Sequence, residues 1–444
     1  MWTFNDQSIV KKNHMDILWH KYADKSEEKT IVDADLPAKA SVVGRVGLMM
    51  LSCGTGAWRV RSSMNELSAL LDMTCTVDIG LMSINYTCFD GNDAFSQSLC
   101  LTNTGVNTSK LNRLEKFVMH FKEREITKSC EEIHTILDKI EEIHGLYSPV
   151  TLAVAAALAC ACFTFLLGGG PIEMLCAFAG AGIGNYIRCK LSKHHYTLFL
   201  CIIVSISAAC LSYSVMLKLL EICVAVKVEA GYICAMLFII PGFPFITSGI
   251  DLAKLDLRSG MERMMYSVII ISVATMTAWV LAMVLGLKPL SFTTMSLGLW
   301  QWIVLRICAS FGGVFGFSVM FNSPWKLAVA AGIIGAVSNT LRLEMLDITS
   351  VPAPVAAFAG AVAAGVLASA LKRMVGYPRI SITVPSIVIM VPGLYLYKAV
   401  YNLGNMDLSA ASSWFASALL IIFALPLGLI FARILTDKTF RYCT

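Results

Sequence analysis

Two proline–glycine pairs, Pro241-Gly242 and Pro392-Gly393, stand inside long apolar runs of this 444-residue chain, 151 positions apart. Each is followed by polar residues: Thr247, Ser248 and Asp251 after the first, Lys398 and Asn402 after the second. A proline removes a backbone donor and loosens a helix. Inside a membrane such a break is tolerated where the freed carbonyls face protein or a wet cavity. Duplicated breaks of this kind point to a site for a small polar solute near the bilayer midplane. The plainer reading, a kink with no further role, would stand equal for a single copy. Asn185 and Asn339 add amides to apolar surroundings, where such groups bind solutes or glue helices together. Arg188 and Arg342 close the same two segments and have snorkelling to the interface as their alternative. Arg306, about eight residues into an apolar run, is an intramembrane charge and so a functional candidate by default, with no partner evident in the sequence.

Other chemistry is missing. There is no CxxC pair and no Cys/His zinc spacing, and Cys160-Ala-Cys162 lies in an apolar run where free thiols pack as small hydrophobes. The five cysteines of the first third form no regular framework, which suits a reducing compartment. His14, His20, His120, His134 and His144 are scattered, with His120 and His134 read as surface residues of helices. A G-x-x-x-x-G-K-[ST] loop is absent, so ATP-driven pumping by this chain is not expected and a proton or solute gradient remains as energy source. The expectation is a protein that is not an enzyme and holds no metal or cofactor.

The chain is 57% hydrophobic and 15% charged, whereas a soluble chain carries about 25% charged residues. Residues 1–146 hold 36 charged residues with a net of −4, and residues 147–444 hold 29 with a net of +9. The overall +5 therefore reports membrane orientation, not a nucleic-acid partner. A hydrocarbon core about 30 Å thick takes about 20 apolar residues per helix. Ten segments qualify: 148–167, 171–188, 196–217, 231–250, 263–286, 299–321, 325–342, 352–372, 382–401 and 411–434.

These segments form two halves with matched landmarks. Pro171 and Pro324 open corresponding spans, 153 apart; Asn185-Tyr-Ile-Arg188 and Asn339-Thr-Leu-Arg342 end them, 154 apart; the Pro-Gly pairs follow at 151. Five spans per half, an odd number, make the second half enter from the opposite side, the inverted repeat of secondary transporters. Arg188, Lys190 and Lys193 follow span two, Lys254, Arg258 and Arg263 follow span four, and Arg433, Lys438 and Arg441 mark the tail. This positive-inside bias places both termini in the cytosol, and no signal peptide is evident. The fold expected is an α-helical integral membrane protein of two inverted five-helix repeats (ten transmembrane helices), residues 147–292 and 293–444, in the cytoplasmic membrane. A small N-terminal cytosolic α/β domain, residues 1–146, precedes them. The partners expected are a small-molecule substrate, protons and membrane lipid, with no nucleic acid; a homo-oligomer stays open.

In the N-terminal domain the patterning predicts helices with apolar faces at Val42–Leu51 and Ala57–Leu71. Strands follow at Thr76–Ser83, Ile84–Phe89 and Ser96–Thr102, with Asp90-Gly91-Asn92 as a hairpin turn. Two further helices are expected over Leu111–Glu125 and Ser129–Ile143.

The run Ile240-Pro241-Gly242-Phe-Pro-Phe-Ile-Thr-Ser-Gly-Ile-Asp251, with Leu257-Arg258-Ser-Gly260-Met-Glu-Arg263 after it, resembles the threonine/serine exporter family. There a Pro-Gly helix is followed by an Asp and a Ser-Gly-x-x-Arg turn. Gly54-Thr-Gly-Ala-Trp58-Arg59-Val60 is similar to that family's early helix, and Val384-Pro385 with Val391-Pro392-Gly393 to its C-terminal half. The resemblance spans about residues 40–436. Some relatives divide the halves between two polypeptides, and this chain carries both; Arg61 stands where the resemblance leads to an acidic residue. What it implies is export of small amino acids such as threonine and serine, driven by the proton motive force. Succinate-type dicarboxylate export, the activity of split-chain relatives, is the alternative substrate class. On this reading alternating access runs between broken spans four and nine, with the substrate carboxylate at helix-end dipoles or a basic side chain. Asp251 is expected to take the coupling proton or the ammonium. A membrane-tethered enzyme using the N-terminal domain is the alternative of another class, and no nucleophile–base pair in the sequence speaks for it.

Overall fold

The computed structural model describes residues 17–23, 29–91, 93–143, 145–223, 231–287, 295 and 297–441. The chain groups into two units: residues 1–144 with Asp256–Ser259, and residues 145–255 with 260–444. His14, Asn92 and His144 lie outside the described residues.

In the first unit, α1 (Leu36–Ser52) is almost wholly buried, with Val42, Val43, Val46, Met50 and Leu51 inaccessible. Helix α2 (Ala57–Leu70) follows after Gly54, whose φ of +79° makes the turn. Strands β1 (Thr74–Ile79), β2 (Ser83–Asp90) and β3 (Asp93–Cys100) form one antiparallel sheet in the order 1-2-3. Val77 stands opposite Tyr86, and Tyr86 opposite Gln97. Alternation along β2 sends Ile84, Tyr86 and Cys88 inward, and the Tyr86 hydroxyl donates to the Ala40 carbonyl of α1 at 3.0 Å. The first strand ends at Ile79, earlier than its apolar run suggested. Gly80 turns the chain, its N–H donating to Ser83 O at 2.8 Å.

Helices α3 (Thr108–Met119), α4 (Phe121–Arg124) and α5 (Cys130–Glu141) complete the unit. Asn107 caps α3, and a Ser129/Glu132 capping box starts α5. The segment Asp256–Ser259 is held by two ion pairs within this unit, Arg61–Asp256 and Arg258–Asp78. Arg61 therefore has an acid of its own to neutralise.

The second unit is helical: α6 (Pro149–Leu166), α7 (Pro171–Lys193), α8 (Leu198–Cys223), α9 (Tyr232–Ala235), α10 (Gly242–Ala253) and α11 (Leu257–Leu285, from Gly260 onward). Then come α12 (Leu299–Met320), α13 (Trp325–Thr349), α14 (Ala353–Val375), α15 (Arg379–Val388), α16 (Gly393–Gly404) and α17 (Leu408–Thr436). Among the described residues seven helices are long and apolar enough to cross a membrane, or nine if each of two bent pairs counts as one span. The bent pairs are Tyr232–Ile239 with Gly242–Ala253, at 54°, and Arg379–Val388 with Gly393–Gly404, at 47°. Each of the ten segments expected from sequence falls on a helix or a bent pair. The one outside the nine is α7, long enough but loaded with Glu173, Asn185, Arg188, Lys190 and Lys193.

Packing within the unit recurs at corresponding places. Helices α6 and α7 pack together as do α12 and α13; α7 packs on α8 as α13 does on α14; α9 packs on α6 and α7 as α15 does on α12 and α13. Helices α6 and α12 also pack on one another. Small residues permit these approaches: a Cβ at Gly184 would lie 2.8 Å from Ala209 Cβ and from Ser205 O.

Candidate functional site

Both breaks have the same backbone. Pro241 has φ −80°, ψ 60° and Pro392 has φ −82°, ψ 54°. The N–H of Gly242 donates to Ile240 O at 2.8 Å, and that of Gly393 to Val391 O at 2.9 Å. These are inverse γ-turns centred on the prolines. Each follows from its sequence: proline lacks the N–H a continuous helix needs and drives the residue before it out of the α region, as Ile240 shows with ψ 123°. A new helix starts at once, Phe245 N–H donating to Pro241 O and Leu396 N–H to Pro392 O, both at 3.1 Å.

The two breaks pack into each other. A Cβ on Gly242 would lie 3.1 Å from Val388 Cγ1 and 3.2 Å from Val391 Cγ2; a Cβ on Gly393 would lie 2.1 Å from Ile240 Cδ1 and 3.0 Å from Leu237 Cδ2. Shifting 237, 240 and 242 by 151 gives 388, 391 and 393, so the contact is reciprocal. Phe163 and Phe317 close a cavity here of only about 10 Å³, room for at most one water molecule. At the crossing the path is apolar and shut.

The polar residues after the first break gather on the α10–α11 hairpin. Thr247 Oγ1 donates back to Phe243 O at 3.1 Å, and Ser248 Oγ donates to Gly260 O at 2.6 Å. Asp251 is fully buried and its Oδ2 lies 3.4 Å from Nε of Arg263, itself 2% exposed. The sequence placed Arg263 in a motif without assigning it this role; the hairpin return brings it to Asp251. After the second break, Lys398 Nζ lies 4.6 Å from the centre of the Trp414 ring, and Asn402 Nδ2 donates to Lys398 O at 2.8 Å. Among the described residues no hydrogen bond or ion pair joins Asp251 to Lys398 or Asn402, so the two polar sets are separate.

The remaining candidates are dispersed. Asn185 Nδ2 donates to Leu152 O and Asn339 Nδ2 to Ser310 Oγ, each at 2.9 Å, so both amides tie neighbouring helices together. Arg306 finds the partners the sequence left unnamed: Nη1 donates to Glu344 Oε1 at 2.8 Å, Nη2 pairs with Asp347, and the guanidinium lies over Trp302. Glu344 and Asp347, three apart on α13, present both carboxylates on one face. Arg188 and Arg342 are half-buried, and among the described residues no carboxylate lies within ion-pair distance of either, nor of Lys398.

Among the described residues of the N-terminal unit one pair has the make-up of a catalytic one. Ser41 Oγ lies 3.0 Å from His134 Nε2, both side chains inaccessible. This corrects the reading of His134 as a surface residue. The polarity of the pair is wrong for catalysis, however. Arg45 Nη1 faces His134 Nδ1 at 3.4 Å and can only donate, which leaves the ring proton on Nε2. Ser41 donates to Ala38 O at 2.7 Å and accepts from that N–H, so no bare nitrogen faces the hydroxyl. Burial, reinforced by Arg45, pushes the His134 pKa down to about 3, keeping the ring neutral.

His20 is its opposite. Its two ring nitrogens lie 2.7 Å from Glu131 Oε1 and 2.8 Å from Asp138 Oδ2, and two carboxylate acceptors require two N–H donors. The hydrogen bond to Glu131 raises its pKa.

Two family descriptions match the chain. Residues 41–286 match the one described as "Putative threonine/serine exporter", and residues 306–435 the one described as "Threonine/Serine exporter, ThrE". No curated protein and no solved structure matches it. The two matches cover both sides of the reciprocal crossing, and the apolar helices are those of a multi-pass membrane protein: the chain belongs to the threonine/serine exporter family, with both halves in one polypeptide.

Proposed function

We propose that this protein is a proton-driven secondary exporter of threonine and serine that works by alternating access. In this reading residues 147–292 and 293–444 are inverted five-helix repeats, α7 is the tenth span despite its charges, and both termini face the cytosol at the cytoplasmic membrane. The observation that carries the proposal is the reciprocal packing of the two breaks at a constant offset of 151. A contact that maps onto itself under the repeat is where a two-fold axis would pass, and rocking about it would expose each side in turn.

The closed apolar crossing acts as the barrier between the two access paths. The substrate carboxylate is taken by Arg188, Arg342 and Lys398, for which among the described residues no carboxylate lies within ion-pair distance, and by the N-termini of α10 and α16, where no side chain caps the helix. Asp251 serves as the proton site. Arg263 forms an ion pair with its buried carboxylate; a proton delivered to Asp251 would cancel the pair and loosen the hairpin that Ser248 and Gly260 tie. Because Arg263 already occupies Asp251, the substrate ammonium is bound elsewhere.

Counterflow of labelled threonine, serine and succinate in proteoliposomes tests this reading. Exchange of the two amino acids, accelerated by a proton gradient, is the expected result; exchange of succinate alone would transfer the protein to the dicarboxylate class.

A further inference from the structure

Beside the crossing, Tyr232 of α9 and Tyr397 of α16 bring their hydroxyls to 2.8 Å, with both side chains inaccessible. Their rings meet edge to face at 5.8 Å, and Tyr397 stacks on Tyr401 at 6.4 Å. Among the described residues neither hydroxyl makes another hydrogen bond. The bond ties the segment before the first break to the segment after the second, so it bridges the two halves of the chain. If the halves move apart on this side, the bond must break.

The repeat supplies a comparison. Shifted by 151, Tyr232 falls on Thr383, and Tyr397 falls back on Ile246. Helix α10, which carries Ile246, packs on α15, which carries Thr383, as α16 packs on α9. No latch exists there: Ile246 has no polar group, and Thr383 Oγ1 donates to Arg379 O of its own helix at 3.0 Å. We infer that the Tyr232–Tyr397 hydroxyl pair is a one-sided latch, holding shut the access path on the α9/α16 side, while among the described residues no hydrogen bond joins α10 to α15 on the other. The inference rests on the repeat architecture proposed above. In an apolar interior a broken hydroxyl pair leaves both groups without partners, so the latch favours one closed side over the other.

Cys234, two residues from Tyr232 and inaccessible, is a built-in reporter. Its rate of modification by a membrane-impermeant maleimide, located by peptide mass spectrometry, is measured from each face in oriented vesicles. Tyr232→Phe and Tyr397→Phe keep the rings and remove the bond. Each is expected to raise the Cys234 rate from one face by about fivefold, the equivalent of roughly 1 kcal/mol, and the double variant by no more than either single. Unchanged rates in all three variants, or equal increases from both faces, would overturn the latch. The readout does not depend on substrate: wild-type protein that exchanges neither threonine nor serine, while its Phe variants still open Cys234, defeats the exporter reading and leaves the latch standing.

Discussion

Adding one methyl group at Gly393 tests the crossing of the breaks. The Cβ would lie 2.1 Å from Ile240 Cδ1 and 3.0 Å from Leu237 Cδ2, where carbon atoms normally rest about 3.5–4.0 Å apart. Ile240 must retreat by more than 1 Å, and its β-branch leaves only the outer torsion free to do so. The cavity it lines at the crossing holds about 10 Å³, too little for a methyl group. Overpacking of this kind costs roughly 1–3 kcal/mol. At the corresponding Gly242 the nearest atoms are at 3.1 and 3.2 Å, which a shift of a few tenths of an ångström relieves, so Gly242→Ala should cost well under half as much. Ile240→Val removes the offending atom at a cost of its own of roughly 0.5–1.5 kcal/mol. The double variant Ile240→Val/Gly393→Ala should therefore be no less stable than Ile240→Val alone. Melting midpoints of the detergent-solubilised protein read these differences at roughly 2 °C per kcal/mol. The reasoning is refuted if Gly393→Ala melts like Gly242→Ala, or if Ile240→Val fails to rescue it.

Three other expectations concern charged groups. Arg263→Ala and Asp251→Asn each break a buried ion pair and should both lower the melting midpoint, while Asp251→Asn should in addition exchange substrate but lose acceleration by a proton gradient; gradient-driven transport intact in that variant removes Asp251 from the coupling role. Arg306→Ala should lower the melting midpoint yet leave the KM for substrate within about twofold, because its guanidinium is already engaged by Glu344 and Asp347; a large rise in KM would make it a substrate ligand. His20, raised above its ordinary 6.5, adds stability that is complete below pH 6.5 and is lost as pH rises through its folded pKa. Hydrogen exchange of residues 17–23 should accordingly quicken with rising pH beyond the intrinsic rate, and His20→Gln should abolish that excess.

The breaks were legible in the sequence because proline and glycine state their backbone consequences directly, and duplication separated them from ordinary kinks. Their mutual contact was not legible, since nothing in a linear pattern says that Leu237 and Ile240 meet Gly393. Arg306 was visible as a buried charge, but its partners arrive from α13, about forty residues on. Asp251 was visible as well, and assigned to the coupling proton or the ammonium; Arg263 as its neighbour was not legible, because it lies across a hairpin. His134 is a different failure. Cys130, Ile133, His134 and Leu137 form the buried face of α5, and helical periodicity alone would have placed the imidazole inside. The habit of treating histidine as a surface residue overrode that signal. The end of β1 at Ile79 was missed because Leu81 and Met82 prolong the apolar run past the turn that Gly80 makes.

The central claim is that this chain moves threonine and serine against their gradients at the expense of protons. Its most direct test is efflux of labelled threonine and serine from proteoliposomes under an imposed proton gradient, with and without an uncoupler. The account predicts efflux of both amino acids that collapses with the uncoupler while counterflow persists. Efflux indifferent to the gradient, or no exchange of either amino acid by folded protein, would contradict it.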